Sequence, residues 1–263
     1  SIVMPLVYAM AIDHNKTTPN ELINGYQGRY NIENKIITDA FPFDRLRAED
    51  VVVFSSNIGI AQIAQKLGGI ELYIGLKKFG LGDYSTISDY HENIGNIPSL
   101  YKLERPVYQA TSAYGYGFSS NLMQIMRAYS VFTNQGVIIT PSTFLNYDEG
   151  TKVLSNKTVE TVNTALVESV QKGLAQAAQV EGLEIGGKTG MSHMIANGLY
   201  INHYHNSFVG YANDSNNSYI IGVLIVDPKT KIMSSQTAAP LFKKCVETLI
   251  SEKYLFPKQS LNH

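Results

Sequence analysis

The chain is poor in the features that would fix its compartment or its partner outright. Among 263 residues there is one cysteine, Cys245, and no tryptophan. A lone cysteine excludes an internal disulfide. That fits a reducing compartment, and it equally fits an exported domain large enough to fold without cross-links. Charged residues make up 16% of the chain, and 21 Lys+Arg against 22 Asp+Glu leave a net charge of -1. No block of Lys/Arg and no basic stripe interleaved with aromatics is present, which argues against nucleic acid as a partner. No apolar run reaches the about 20 residues of a membrane span. The longest, Tyr219 to Val226, has strand length and many β-branched residues. No secretory signal pattern is visible. The chain opens on Ser1-Ile2-Val3-Met4-Pro5 without an initiator methionine, and is expected to be a fragment or a processed piece.

What is present is a hydrophobic content of 44%, enough for one large core or two modest ones. Leu6 to Ile12 is apolar and helix-forming, and the polar stretch from Asp13 to Asn20 ends it. Gly25 to Asp50 reads as irregular and turn-rich. Apolar residues at Ile60, Ile63, Ala64 and Leu67 mark one face of a helix over Asn57 to Leu67, stopped by Gly68-Gly69. A second short helix runs from Glu71 to Phe79 and ends at Gly80. Ser85 to Tyr108 lacks periodicity and reads as a long loop.

Ser119 and Ser120 are candidate caps for a helix with Leu122, Ile125, Met126 and Tyr129 on its core face, closed by Gly136. Val159, Val162, Leu166, Val170 and Leu174 mark another helix, ending near Gln179. The period then changes. Leu183 to Met191, Ser207 to Tyr211 and Tyr219 to Val226 read as strands, with a turn over Asn213 to Asn217. Pro240 to Ser251 closes the chain as a helix. Helices, an antiparallel meander and a final helix predict a mixed α/β (α+β) domain whose sheet is covered by helices.

Three short patterns carry chemistry: Ser1-Ile2-Val3-Met4, Ser55-Ser56-Asn57 and Lys188-Thr189-Gly190. Each alone reads as ordinary structure. A Ser-Ser-Asn before a helix serves as an N-cap, and a Lys-Thr-Gly is a strand end meeting a turn. Together they parallel the Ser-x-x-Lys, Ser-x-Asn and Lys-Thr-Gly set of serine acyl-transfer enzymes. Small residues at Gly186-Gly187 are expected to let a substrate backbone lie against the strand.

With these residues in view, the chain resembles class B penicillin-binding proteins, of the division-specific transpeptidase type, essentially from end to end. Met4-Pro5 falls where the family has Lys-Pro. Ser55-Ser56-Asn57-Ile58-Gly59 is similar to the middle motif. Ser112-Ala113-Tyr114-Gly115-Tyr116-Gly117, with Met123-Gln124 and Arg127-Ala128-Tyr129, resembles the segment between the second and third motifs. Gly186 to Gly190 is similar to the third motif. Ser207 to Tyr211, Val226-Asp227-Pro228 and Ala239 to Phe242 resemble the closing strands and helix. Several motifs in the right order are far more specific than any one.

The resemblance implies a β-lactamase/transpeptidase-like fold with a helical subdomain, spanning residues 1–263 and lacking the upstream strands, pedestal domain and membrane anchor of the family. It implies peptidoglycan cross-linking by serine acyl transfer on D-Ala-D-Ala stem peptides derived from lipid II, with covalent capture of β-lactam antibiotics. By position Ser1 is the nucleophile and Ser55 relays the proton to the leaving group. Asn57 holds the substrate amide, Lys188 supplies positive charge near Ser55, and Thr189 binds the terminal carboxylate. The backbone N–H groups of Ser1 and Met191, beside Gly190, form the oxyanion hole, worth about 3 kcal/mol per donor. Tyr114 and Tyr116 are placed near the cleft. No metal and no organic cofactor is implied. The setting implied is the periplasmic face of the inner membrane, with cell-division membrane proteins as partners.

Three departures qualify the resemblance. Met4 stands in the lysine position and cannot take a proton, so an impaired or inactive enzyme is expected. Without upstream strands, a three-stranded sheet with an exposed edge is expected. Met191 stands where the family often has threonine, a change expected to matter little to a backbone role. Two other readings use the same residues. One is a non-catalytic scaffold or stem-peptide sensor. The other is an N-terminal-serine hydrolase whose own amine is the base. His193, His203 and His205 flank an expected hairpin loop and read as solvated loop residues, not as zinc ligands.

Overall fold

A computed structural model describes residues 1–259 apart from 86, 88–91, 146–147 and 232. The chain divides into two compact units: Ser1 with Val3–Ala165, and Ile2 with Leu166–His263.

The first unit is built on α1 (Met4–Asp13). Met4 to Ala11 are all buried, as a helix apolar all round must be. Four short strands follow: β1 (Leu22–Asn24), β2 (Arg29–Ile32), β3 (Lys35–Thr38) and β4 (Arg45–Arg47). They pair antiparallel as β1 with β4 and β2 with β3. The stretch expected to be irregular is therefore partly two small ladders. Each strand buries a single apolar residue, Ile23, Ile32, Ile37 or Leu46, so no alternation was there to read. Then come α2 (Ala48–Val53), α3 (Asn57–Leu67) and α4 (Gly69–Lys78). The α3 bounds agree with the periodicity, and Gly68 ends the helix at φ +90°. α4 crosses α1 closely at Gly75, where a Cβ would stand 2.3 Å from the Met10 sulfur.

The stretch Ser85 to Tyr108, expected to be one long loop, holds α5 (Leu100–Leu103) and the start of α6 (Pro106–Ala113); residues 86 and 88–91 of it lie outside the described residues. Pro106 opens α6 at its first position, where a missing N–H costs nothing. α7 (Leu122–Thr133) is capped by Asn121, not by Ser119 or Ser120. Asn121 Oδ1 accepts from the Gln124 N–H and Gln124 Oε1 accepts from the Asn121 N–H, a reciprocal capping box. β5 (Val137–Ile138) and β6 (Thr151–Lys152) form a further small pair. The boundary between the units falls within α8 (Asn156–Gln171).

The second unit is an antiparallel sheet in the order β7 (Glu184–Ala196), β8 (Leu199–Asn213), β9 (Ser218–Val226), with α9 (Ala238–Ser251) packed on it. This is the helix-covered antiparallel sheet that the order of elements predicts. Phe208 and Phe242 anchor the contact with ring centroids 4.4 Å apart, within a core that includes Ile185, Ala212, Val223, Ala239 and Val246. β7 and β8 run well past β9 as a two-stranded arm. They are joined by Asn197-Gly198, both in the left-handed region at φ +51° and +76°. Such Asn-Gly pairs suit the two-residue turns that match strand twist. His193, His203 and His205 sit on the strands of this arm, not in a loop.

Candidate active site

On the first unit, the chain turns into α1 with the Met4 N–H donating to the Ser1 carbonyl at 3.1 Å. That turn holds Ser1 three residues before the first residue of the helix. The Ser1 nitrogen in turn donates to the Tyr114 carbonyl at 2.9 Å, just past the end of α6. Gly115 follows at φ +95°, and a Cβ there would lie 3.4 Å from the Ser1 nitrogen. The Tyr114 ring is buried and meets the Tyr116 ring edge-on, centroids 5.8 Å apart.

Met4 is fully buried, and its sulfur lies 3.7 Å from Ser55 Oγ, which donates to it. A thioether is a weak acceptor with no titratable proton. The atom facing the Ser55 hydroxyl is therefore not a base at any ordinary pH.

Ser55 lies between α2 and α3 at φ +59°, a left-handed conformation that is strained for a residue with a side chain. Its neighbours hold it there. Ser56 caps α3, its Oγ accepting from the Gly59 N–H at 2.8 Å. The same Oγ donates to Asp39 Oδ2 at 2.5 Å, while Asp39 Oδ1 accepts from the Ile58 N–H at 3.0 Å. Asn57 Nδ2 donates to the Thr38 carbonyl at 3.0 Å. A carbonyl only accepts, so this bond fixes which end of the amide is which. Burial pushes the Asp39 carboxyl above its ordinary range, against the opposing pull of its hydrogen bonds to Ser56 and to the backbone. Gly59 is small because a Cβ would stand 2.4 Å from a Val51 methyl.

On the second unit, Lys188, Thr189 and Gly190 lie within β7, paired with Val209, Phe208 and Ser207 of β8. Lys188 is fully buried; its Nζ donates to the Thr189 carbonyl at 3.2 Å. Burial pushes its ammonium down to about 7, well below the ordinary lysine range. The Gly190 carbonyl accepts from both Ser207 Oγ and Ser234 Oγ. A Cβ at Gly190 would meet Ser207 Oγ at 2.6 Å and the Ile2 side chain at 2.7 Å.

Gly186 and Gly187 have a different reason from the one expected. A Cβ would fall 2.3 Å from the Tyr211 ring at the first and 2.5 Å from the Phe208 ring at the second. Their smallness is needed by the sheet's own aromatic packing. Met191, at the end of the motif, is 38% exposed.

Among the described residues no cluster of His, Cys, Asp or Glu is arranged to hold a metal. His203 Nδ1 instead pairs with Asp227 at 2.7 Å, and His193 Nδ1 meets the Ile201 carbonyl. The first unit thus brings together Ser1, Met4, Ser55 and Tyr114, with Asn57 and Tyr116 one contact away. The second sets Lys188, Thr189, Gly190 and Met191 along one strand. Sequence reasoning missed Asp39, Ser207 and Ser234, which hold the motifs from other segments.

The model of the penicillin binding protein transpeptidase domain matches residues 1–247. The chain belongs to that family. Among curated relatives of this transpeptidase domain, the probable peptidoglycan D,D-transpeptidase PenA of Neisseria gonorrhoeae is 29% identical over 250 residues, covering 93% of this chain and 42% of that protein. Stage V sporulation protein D of Bacillus subtilis is 31% identical over 229 residues, covering 80% of this chain and 35% of that protein. The chain thus spans less than half the length of these relatives. Among solved structures, the transpeptidase domain of Burkholderia pseudomallei penicillin-binding protein 3 matches with a TM-score of 0.92 and 29% identity, over 98% of this chain and 80% of that one. Penicillin-binding protein 3 of Mycobacterium tuberculosis, complexed with aztreonam, matches with a TM-score of 0.85 and 26% identity, over 99% of this chain and 64% of that one. The transpeptidase domain fold is therefore the fold of this chain.

Proposed function

We propose that this chain is the catalytic domain of a peptidoglycan D,D-transpeptidase whose chemistry is impaired by Met4. The observation that carries the reading is the set formed by Ser1, Met4 and Ser55, with the Met4 sulfur 3.7 Å from Ser55 Oγ. A lysine in the buried Met4 position would put an amine beside that hydroxyl.

In the reaction proposed, Ser1 Oγ attacks the carbonyl between the two D-alanines of a stem peptide. A new C–O bond forms and the C–N bond breaks. The serine proton passes by way of Ser55 to the nitrogen of the departing D-alanine. An amine of a neighbouring stem then attacks the ester, forming an amide and returning a proton to Ser1. The Met191 N–H stabilises the oxyanion in both halves, and the Ser1 N–H joins it when it turns from the Tyr114 carbonyl that it meets without substrate. Asn57 holds the substrate amide, Thr189 the terminal carboxylate, and Lys188 supplies positive charge to the relay. Tyr114 and Tyr116 flank the nucleophile. A β-lactam takes the substrate's place and leaves an ester on Ser1 that hydrolyses slowly. Loss of a general base typically costs about 10²–10⁴ in rate, and that is the deficit assigned to Met4.

The domain works, in this reading, at the outer face of the cytoplasmic membrane, on lipid II-derived stems and beside division proteins. No described helix is long and apolar enough to cross a membrane.

The same methionine favours a second reading, a domain that binds stem peptides without turning them over. A terminal amine acting as base is the third reading; in it the Ser1 nitrogen, which donates to the Tyr114 carbonyl, takes the proton. Release of D-alanine from a stem-peptide mimic separates enzyme from sensor. Release by Met4→Lys but only traces by the parent chain supports the impaired enzyme. Tight binding by both with release by neither supports the sensor.

A further inference from the structure

Two hydroxyls from two different segments hold the Gly190 carbonyl. Ser207 lies opposite Gly190 in the β7–β8 register, and its Oγ donates to that oxygen at 3.3 Å. Ser234 Oγ donates to the same oxygen from the short turn of helix, Ser234–Gln236, that leads into α9. A carbonyl only accepts, so both hydroxyl protons are committed to it. Ser234 is buried and its turn is itself tied down. The side chain of Asn206, fully buried on β8, donates to Thr237 Oγ1 at 2.9 Å, and Thr237 Oγ1 donates to the Met233 carbonyl at 3.0 Å. These bonds anchor the turn that carries Ser234 to the strand beside β7.

The Gly190 carbonyl and the Met191 N–H are the two ends of one peptide plane. In a trans peptide they point opposite ways, and this one is trans. The carbonyl points toward β8, since it meets Ser207 there. The Met191 N–H therefore points away from β8, to the side of β7 where no strand pairs among the described residues. We infer that Ser234 is a positioning residue for acyl transfer: its hydroxyl fixes and polarises the peptide whose N–H is the proposed oxyanion donor. It touches neither substrate nor reacting atoms. This inference rests on the function proposed above. A hydrogen bond at the carbonyl draws electron density from the peptide nitrogen and strengthens the N–H as a donor, by about 10–30% per bond. One oxyanion donor is typically worth about 10²–10³ in rate. That share of its free energy is a factor of roughly two to eight in rate. The gain falls on the acylation step and not on binding, because the oxyanion exists only as the bond forms.

Two measurements test this, and the first needs no activity. Met191 is the one methionine of seven that follows a glycine. Isotope labels on glycine carbonyl carbons and methionine nitrogens therefore give a single carbonyl-to-amide cross-peak by NMR, that of the Gly190–Met191 peptide. Ser234→Ala in the parent chain should move the carbonyl carbon and the amide proton of that peak upfield, as loss of a hydrogen bond at the carbonyl does. An unmoved peak overturns the inference. The second measurement is acylation by a fluorescent penicillin in the Met4→Lys background, followed against penicillin concentration. Ser234→Ala should lower the limiting rate by a factor of roughly two to eight and leave the half-saturating concentration unchanged. Ser234→Thr, which keeps the hydroxyl, should keep the rate. A limiting rate unchanged in Ser234→Ala, with only the unfolding temperature lowered, marks a residue that serves the fold alone and overturns the inference. A Thr variant as slow as the Ala variant overturns it too. If Met4→Lys never labels, the functional reading is what fails, and the cross-peak still supports or overturns the polarised peptide.

Discussion

Replacing Lys188 by methionine removes a charge that the second unit buries completely. Burial holds the Lys188 ammonium at about 7 against an ordinary 10.5. Between those two values the unfolded chain binds a proton that the folded chain has released. Stability rises with pH wherever the unfolded state binds more protons, with a slope of up to about 1.4 kcal/mol per pH unit for one group. At pH 7 the native lysine is half protonated, so the slope starts at half its full value. It then continues nearly complete to pH 9, for a gain of about 2 kcal/mol over the interval. Above pH 10 buried tyrosines oppose it, since Tyr129 and Tyr211 are held above their ordinary range by burial. The assay is a series of urea unfolding curves at half-unit steps from pH 6 to pH 9.5. The parent should gain stability across the window. Lys188→Met, close in volume, should show a nearly flat profile there, whatever its absolute stability. A parent that loses stability from pH 7 to 9, or a variant with the parent's slope, would refute the burial argument.

Gly186→Ala places a methyl 2.3 Å from the Tyr211 ring, itself fully buried. It should cost about 1–3 kcal/mol in urea unfolding, as overpacked cores do; a neutral outcome would show the sheet has room that the packing denies. Ser56→Ala removes the cap of α3 and one partner of Asp39. A loss of about 1–2 kcal/mol is expected, read as a lower thermal midpoint, with a larger deficit at neutral than at acid pH because the carboxylate that has lost one donor is then charged.

The sequence was legible wherever one physical signal was strong and local. The α3 helix could be read with its bounds because its apolar face recurs at helical spacing and Gly68 ends it. The three motifs were legible as short words in a fixed order. The ladders among residues 22–47 were not, since strands of three or four residues with one buried side chain have no period to display. The β7–β8 arm extends past both expected strand ends because its residues there are mostly exposed on both faces. Asn197-Gly198 did carry a readable turn signal for it. Asp39 and Ser234 were out of reach for another reason. They meet the motifs across 17 and 44 residues of sequence, and an acid in a turn-rich stretch looks the same whether or not it anchors a catalytic turn. The glycine pair before Lys188 shows the converse, a local pattern read rightly as a demand for small residues but assigned to substrate when the demand is the sheet's own.

The deficit assigned to Met4 is tested directly by the intact mass of the chain and of Met4→Lys after incubation with a fluorescent penicillin. One adduct on Ser1 is expected in the lysine protein within minutes, and little or none in the parent over the same time. Equal labelling of both would contradict it, because some other group would then be activating Ser1. An adduct on any residue other than Ser1 would contradict the assignment of the nucleophile itself.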